Sequence, residues 1–593
     1  MLKVWQVPLK VNGYLGSLFK TPFYVTQKSI IKGEGFMKKR VLSLLLILSM
    51  FAMTACGNNT DAGVENADDA VVLSQMDEVN TAELNMIDDK YRNYYEVFVY
   101  SFCDSDGDGI GDIQGLISKL DYINDGDPTT DSDLGCTGIW LMPIMPSTTY
   151  HKYDVINYKD IDSEYGTLED FEQLIAECDE RGIDVIIDLV LNHSSSQHPW
   201  FKEATNYLKN LGDAKPNVEE CPYFDYYHFS KESASGYTKI SGTDWYYECQ
   251  FWSEMPDMNL GSEAVRTEFE EVSSFWLEKG VAGFRLDAAK EFYSGHNTAN
   301  IEVLTWFNDY VKGIDEDAYI VAEVWNNMEA YSMYLSSGID SVFNFDFSDT
   351  SGIIASSVKH LSGKNASSYG KEVAKVDGIL SEQNPNYVDA PFYTNHDQAR
   401  SAGYYSGEFG ENQTKIALAM NQMMTGNTFL YYGDELGMKG SGQDENKRCA
   451  MQWYADDTAD GMCVGPNPNP IDMKYGSLEE QVDNPYSIYN FAKHTIKLRN
   501  QYPIIARGDV TFEEAYSDDN ICVLKKTYEG EEMVFVFNIS SEVCTVDLTG
   551  LTVNGVEAKE ATMAGVLITQ ADTRVEIKDG VINMPIYSVL LLK

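Results

Sequence analysis

A small set of charged and polar residues stands at positions where they could act together. Asp188, Asn192 and His193 close the run DVIIDLVLNH. Arg285 and Asp287 close GFRLD, Glu323 sits in AEVW, and Asn395, His396 and Asp397 sit in TNHD. Each segment is a short apolar run that ends in groups able to move protons or attack carbon. One carboxylate at one strand end reads as a structural ion pair. Several converging on one mouth would repel each other, a cost without a function. Such a set fits glycoside cleavage: one carboxylate attacks the anomeric carbon, and another, kept protonated, delivers a proton to the leaving oxygen. Arg285 lies two residues before Asp287, so on a strand both side chains face the same way. Its charge keeps Asp287 ionised and oriented. Glu323, among carboxylates and apolar neighbours, is the candidate for a raised pKa.

These residues need a scaffold that gathers strand ends. Eight apolar runs follow one another: Tyr95–Phe102, Gly138–Ile144, Asp184–Leu191, Ala282–Asp287, Tyr319–Glu323, Val342–Phe347, Ala390–Thr394 and Thr428–Tyr432. Near-continuous apolar character suits parallel strands buried on both faces. Helical patterns lie between them. Thr167 can cap a helix whose Leu168, Phe171, Leu174, Ile175 and Cys178 share a face, with Gly182 as its stop. Val265, Phe269, Val272 and Trp276 form a second stripe, closed by Gly280. The alternation predicts a (β/α)₈ TIM barrel over 91–193 and 257–502, with its catalytic face at the C-terminal ends of the strands. The aromatic, acidic segment 194–256 is too long for a structureless loop and is expected to be an inserted domain after the third strand. From 503 to 593 the pattern turns to short strands such as Ile521–Lys526, Met533–Asn538 and Val589–Leu592. It predicts a C-terminal antiparallel β-sandwich.

The segments DLVLNH, GFRLDAAK, AEVW and TNHD, with MPDMNL at Met255–Leu260, resemble the signature regions of glycoside hydrolase family 13, the α-amylase family. The resemblance runs from about Tyr91 to the C-terminus. It implies a retaining double displacement with Asp287 as nucleophile, Glu323 as acid/base and Asp397 as the carboxylate that binds the −1 sugar. It also implies sugar-hydroxyl contacts from His193 and His396, a positioning role for Arg285 and stacking by Tyr153. Asp154 and Arg400 are expected to pair at the pocket rim. Lys290 matches a donor at the +2 subsite in α-amylase-like members; its alternative is a surface pair with Glu291. The implied substrates are starch, maltooligosaccharides and related α-glucans. Bond preference is read from two conflicting cues. Ala288, where α-1,6-preferring relatives carry Val, and MPDMNL point to α-1,4 cleavage. A calcium loop points toward the oligo-1,6-glucosidases. A transglycosylase would share every catalytic residue; a non-catalytic glucan-binding or transporter-associated relative would be expected to lose carboxylates that are all present here.

That loop is Asp104–Asp112. Asp104, Asp106, Asp108 and Asp112, with the Ile110 carbonyl, repeat alternate-position calcium-ligand spacing, but no glutamate stands at a twelfth position as in an EF-hand. It resembles the loop of oligo-1,6-glucosidase-like members, which implies a structural Ca²⁺.

Net charge is −48, from 44 basic and 92 acidic side chains. Nucleic acid and anionic headgroups would repel this chain, whereas a neutral polymer would not. From Met37, Lys38–Arg40 and the apolar run Val41–Met53 precede Met53-Thr54-Ala55-Cys56, which resembles a bacterial lipobox. Residues 37–56 are therefore expected to be a signal peptide, with lipidation at Cys56 and a monomer anchored on the outer face of a bacterial membrane. Residues 57–90 read as a flexible acidic tether. Residues 1–36 fit poorly ahead of a signal peptide, and Lys32–Gly35 can be encoded by a ribosome-binding sequence, so this stretch is expected to be an untranslated upstream extension. Nine cysteines remain besides Cys56. An odd number cannot all pair; Cys221 with Cys249 and Cys522 with Cys544 are candidate bridges, and buried free thiols are the alternative.

Overall fold

The computed structural model describes residues 71–73 (as backbone), 90–467, 472–578 and 581–593. The upstream extension, the signal peptide and Cys56 lie outside the described residues.

Eight parallel strands form one sheet: β1 Asn93–Val97, β2 Gly138–Leu141, β3 Asp184–Leu189, β4 Gly283–Leu286, β5 Tyr319–Ala322, β6 Ser341–Asn344, β7 Ala390–Pro391 and β8 Thr428–Tyr431. Each overlaps one of the eight apolar runs; β1 starts two residues before its run and β6 one residue before. β8 pairs with β1, and a parallel bridge between Phe392 and Phe429 joins the β7 and β8 sides, so the sheet closes as a barrel. Its interior is filled with rings. Tyr94 stacks on Phe429 and Tyr319 with centroids 4.9 and 5.4 Å apart, and Phe343 packs on Trp140 and Phe429. This filled centre is a core and not a pore. At Gly138 a Cβ would lie 2.5 Å from the Tyr94 ring, so the glycine is required by that packing.

The helices on the outside start and stop where the sequence signals them. Thr167 accepts from the Asp170 amide and Asp170 answers in a capping box; Phe171, Leu174 and Cys178 are buried, and Gly182 takes φ 71°. In Glu263–Glu278 the buried stripe is Val265, Phe269, Val272 and Trp276, and Gly280 has φ 92°.

Between β3 and β4 the chain makes a helix, Pro199–Asn210, and a three-stranded antiparallel sheet of Phe229–Ser230, Tyr237–Lys239 and Tyr246–Glu248. This insertion stands at the C-terminal end of the barrel strands. His193 bridges Asp257, and the Ser194 and Ser196 amides donate to the Pro256 and Glu254 carbonyls, so its two ends are laced together.

After the barrel, a five-stranded antiparallel sheet (Asp509–Phe512, Ile521–Tyr528, Glu531–Asn538, Ser588–Leu592, Met563–Ile568) faces a four-stranded one. Strand alternation serves two cores. Ile521, Val523, Val534, Val536 and Leu590 pack between the sheets, while Cys522, Leu524, Phe535, Phe537 and Leu591 join the barrel core. Lys526, fully buried, donates to the Met423 and Ile505 carbonyls and ties the sandwich to the barrel floor.

One expectation is corrected, and of the two cysteine readings the free thiols are the one observed. Val71–Leu73, in the stretch read as a tether, pairs antiparallel with Val575–Ile577 and forms an edge of the four-stranded sheet. The apolar Val-Val-Leu triplet interrupts the acidic run, and an open sheet edge offers it backbone partners. No disulfide forms among the described residues; Cys221, Cys249, Cys522 and Cys544 are free thiols. Cys249 instead hydrogen-bonds Thr238, and Cys522 faces the barrel core.

Candidate active site

Parallel register brings Asp188 of β3 directly beside Arg285 of β4, both fully buried. Arg285 is the hub of the site. Its Nη1 donates to both Asp188 oxygens at 2.8 Å and to Asp287 Oδ1 at 2.7 Å, and its Nη2 donates to Glu323 Oε2 at 2.8 Å. The guanidinium lies 5.2 Å over the Trp140 ring. A planar, permanently charged fork is the side chain suited to hold three carboxylates at once.

Ala288 adopts a left-handed conformation, φ 48° and ψ 39°, sparsely populated for residues other than glycine. The bend turns its amide to Glu323 Oε2 at 3.0 Å. Backbone strain here positions the donor on which Glu323 rests. Burial raises the Glu323 pKa to about 7; Arg285 pulls it down, while Asp287 and Asp397 push it up. Asp397 behaves oppositely. Burial opposes its charge, but His396, Arg448 and Arg285 hold it below the usual carboxylate range. Glu323 is thus poised to hold a proton near neutrality, while Asp397 stays charged.

His396 is placed by both ring nitrogens. Nδ1 lies 2.6 Å from Glu96 Oε1, and Nε2 lies 2.7 Å from the Tyr153 hydroxyl and 3.2 Å from Asp397 Oδ2. Burial works against its protonation, but Asp397 and Glu96 outweigh it and raise its pKa to about 9. The Tyr153 hydroxyl also donates to Asp188 Oδ2 at 3.0 Å, and the ring stacks on His396 with centroids 5.6 Å apart. His193 is buried with no partner for Nε2 among the described residues, which leaves that nitrogen for a ligand.

These groups surround a cavity of about 500 Å³, the size of a small-molecule site. Asp287, Glu323, Asp397, Tyr153, His193 and Lys290 all line it. Lys290 combines its two expected surroundings: it lies on the cavity wall, donates to the Trp325 carbonyl at 3.1 Å and stands 3.6 Å from Glu291.

The rim pair between Asp154 and Arg400 does not form. Asp154 is fully buried, and its carboxylate accepts from the hydroxyls of Ser147, Thr148, Thr149 and Ser195. Those donors satisfy the charge without a cation. Arg400 is also fully buried. It donates to the Tyr432 and Lys447 carbonyls and lies over the Tyr431 and Tyr432 rings. The arginine that reaches the cavity is Arg448, which sequence reasoning missed. Its Nη2 donates to Asp397 Oδ1 at 2.8 Å, and its Nε donates to the His396 carbonyl at 3.2 Å. His151, Phe251, Met255, Trp325 and Asp444 also line the cavity without having been singled out. Position two residues from Tyr153 and from Glu323 was the available signal for His151 and Trp325.

Away from the cavity, Asp104, Asp106 and Asp108 place carboxylate oxygens within 4.8 Å of one another. Gly107 and Gly109, at φ 86° and 93°, turn their amides onto Asp104. Three clustered carboxylates suit a hard divalent cation that would offset their repulsion. Asp112 stands apart: it caps the helix Ile113–Ser118 through the Gly115 amide and accepts from Ser105. The loop is strapped to the segment after β8, since the Asp104 amide donates to the Gly461 carbonyl and the Val464 amide to that of Gly109.

Comparison with known proteins agrees with this architecture. The family model described as the alpha-amylase catalytic domain matches residues 96–508. Amy13B of Eubacterium rectale, a solved structure, is 50% identical, with a TM-score of 0.84 over 88% of this chain and 99% of its own. Alpha-amylase 3 of Dictyoglomus thermophilum is 38% identical over 76% of this chain and 85% of its own length. An oligo-1,6-glucosidase of Parageobacillus thermoglucosidasius is 27% identical over 76% of this chain and 90% of its own.

Proposed function

The chain belongs to the α-amylase family, glycoside hydrolase family 13, and from that premise we propose that it is a retaining hydrolase of α-1,4-glucosidic bonds in starch and maltooligosaccharides, cutting within the chain. The observation that carries the mechanism is the Arg285 bridge between Asp287 and Glu323, combined with the elevated pKa of Glu323. In the first step the Asp287 carboxylate attacks the anomeric carbon while the Glu323 carboxyl gives its proton to the glycosidic oxygen, and the leaving chain departs. Once Asp287 is esterified its negative charge is gone. One of the influences that raised the Glu323 pKa goes with it, so Glu323 becomes the base for the second step. It takes a proton from water as the water oxygen attacks the anomeric carbon and frees Asp287. Asp397, held by Arg448 and His396, would bind the −1 sugar hydroxyls, with His193 as a further partner. Tyr153 would lie against the ring.

Ala288 and Lys290 on the cavity wall support α-1,4 preference, because the small side chain beside the nucleophile leaves the leaving-group side open. The acidic loop Asp104–Asp108 and the oligo-1,6-glucosidase relative favour a second reading, α-1,6 cleavage. A product assay decides between them. Rapid loss of iodine staining on starch with little free glucose supports the first. Release of glucose from isomaltose faster than cleavage of maltotetraose refutes it. Calcium in the loop after β1, with Asp104, Asp106, Asp108 and the Ile110 carbonyl as ligands, and a lipid on Cys56 holding a monomer at the outer membrane face complete the proposal.

A further inference from the structure

One buried charge in the barrel has no part in the bond-breaking steps above. Glu96 stands within β1 and is 1% exposed. Two residues after Tyr94, it points to the same side of the strand, into the filled centre of the barrel. Its Oε1 lies 2.6 Å from His396 Nδ1, and its Oε2 has no partner among the described residues. A glutamine of the same shape would meet a neutral histidine there without the cost of burying a charge. The carboxylate therefore needs a reason.

The reason lies in where the protons sit. The Tyr153 hydroxyl has one hydrogen, which it donates to Asp188 Oδ2 at 3.0 Å. Toward His396 Nε2, 2.7 Å away, the Tyr153 oxygen can then only accept, and so can Asp397 Oδ2 at 3.2 Å. Nε2 therefore carries a hydrogen. Nδ1 faces a carboxyl oxygen at 2.6 Å, where two bare lone pairs would repel, so a second proton lies between Nδ1 and Glu96. With both protons on the ring, His396 is an imidazolium and Glu96 is its counter-ion. Burial opposes charge on both groups. Asp397 and Glu96 overcome it at His396, raising that pKa to about 9; at Glu96 burial leaves the pKa raised, with His396 and then Arg285 pulling against it.

The surrounding charges are committed elsewhere. Arg285 is engaged by Asp188, Asp287 and Glu323. On the β8 side the titratable groups facing Glu96 are Tyr431 and Asp434. Tyr431 donates to the Lys447 carbonyl and Asp434 lies 3.8 Å from Arg400, and neither reaches the free Glu96 oxygen. At the mouth, Arg448 donates to Asp397 Oδ1 at 2.8 Å, while His396 stands at Oδ2. Asp397 thus has one cation at each oxygen, and the second exists only if His396 keeps both protons.

We propose that Glu96 is a positioning residue: from behind His396 it keeps that ring an imidazolium, so that Asp397 meets the −1 sugar ionised and held at both oxygens. This rests on the reading of Asp397 as the sugar-binding carboxylate of an α-glucan hydrolase. The test is Glu96→Gln, which keeps the shape and removes the charge. Its amide can donate to a bare Nδ1, so the ring stays in place as a neutral imidazole. Nitrogen NMR of histidine-labelled protein, with His396→Gln to assign the signal, should show both His396 nitrogens protonated at pH 7 in the wild type. In Glu96→Gln only Nε2 should be protonated. The variant should lose about ten-fold in kcat/KM on maltotetraose, the order of one charge-assisted contact. The acid limb of its pH profile should also move to higher pH. A neutral His396 no longer holds down Asp188 and Asp397, and a carboxylate takes up its proton at higher pH once a neighbouring cation is gone. A merely structural loss would scale activity down at every pH and leave the limb where it was. A neutral His396 in the wild type, an imidazolium that survives at pH 7 in Glu96→Gln, or a loss of activity with an unmoved acid limb overturns the proposal. A wild type that leaves maltotetraose whole refutes the α-1,4 reading, and the His396 signals then still decide whether Glu96 holds the charge.

Discussion

The alkaline limb of the pH–rate profile near pH 7 should belong to Glu323. Its folded pKa is raised to about 7, by burial first and then by the charges of Asp287 and Asp397, against the pull of Arg285 and the Ala288 amide. The active form is protonated, so activity is present below that pKa and lost above it. For a single group of this pKa the protonated fraction falls from about nine-tenths at pH 6 to about one-tenth at pH 8, and about ten-fold per unit beyond. On an unactivated maltooligosaccharide, kcat/KM should follow that curve, because this parameter reports the free enzyme through the first irreversible step. Glu323→Gln should cost roughly 10²- to 10⁴-fold on that substrate, the usual worth of a positioned acid. On an aryl α-glucoside with a good leaving group, which needs no proton, the variant should keep much of its kcat/KM and show no alkaline limb. Asp397→Asn removes a charge that raises the pKa, so its limb should move to lower pH. The assay is kcat/KM from pH 5 to 9 on both substrates. An alkaline limb near pH 7 that persists in Glu323→Gln on the aryl substrate would refute the assignment, as would equal losses on both substrates.

Arg448→Ala should reduce kcat/KM on maltooligosaccharides by about ten- to a hundred-fold, the worth of a charge-assisted hydrogen bond of ~1.5–3 kcal/mol. Arg448→Lys should recover little, since an ammonium cannot hold Asp397 Oδ1 and the His396 carbonyl together as the guanidinium does; full activity in either variant would remove Arg448 from the site. Chelation should lower the melting temperature of the wild type, and 100 Kd of Ca²⁺ should restore about 2.7 kcal/mol of stability. Asp106→Ala with Asp108→Ala should abolish both the metal content and the chelator effect, and unchanged metal content would show the loop assignment to be wrong. Cys56→Ser should release active protein into the medium, and persistent membrane association of that variant would assign the anchor to another segment.

What could be read from the sequence, and what could not, divides along one physical line. Parallel strands buried on both faces write themselves as apolar runs, so all eight barrel strands were legible, and groups at their C-terminal ends share a mouth by construction. Asp287, Glu323, Asp397, Arg285, His193 and His396 could be placed at one mouth because each is tied to a strand end, and Tyr153, twelve residues after β2, through the family resemblance. Arg448 has neither tie. It lies in the long irregular stretch after β8, fifty-one residues from its partner Asp397, where no period says which side chain faces inward. The same gap produced the wrong pairing of Asp154 with Arg400: motif proximity placed both near the mouth, but only packing decides which way a loop side chain turns. The donors that satisfy Asp154 were local all along. Ser147, Thr148 and Thr149 lie within seven residues of it, and hydroxyls this close compete well with a distant cation because little chain entropy is spent in bringing them together. Glu96 was hidden for the opposite reason. It sits inside β1, where a charge breaks an apolar run, and only the closed barrel brings it to His396, three hundred positions on. A buried charge inside a parallel strand therefore marks a partner on another strand, and in a barrel of this kind that partner is to be sought among the strand-end histidines and arginines.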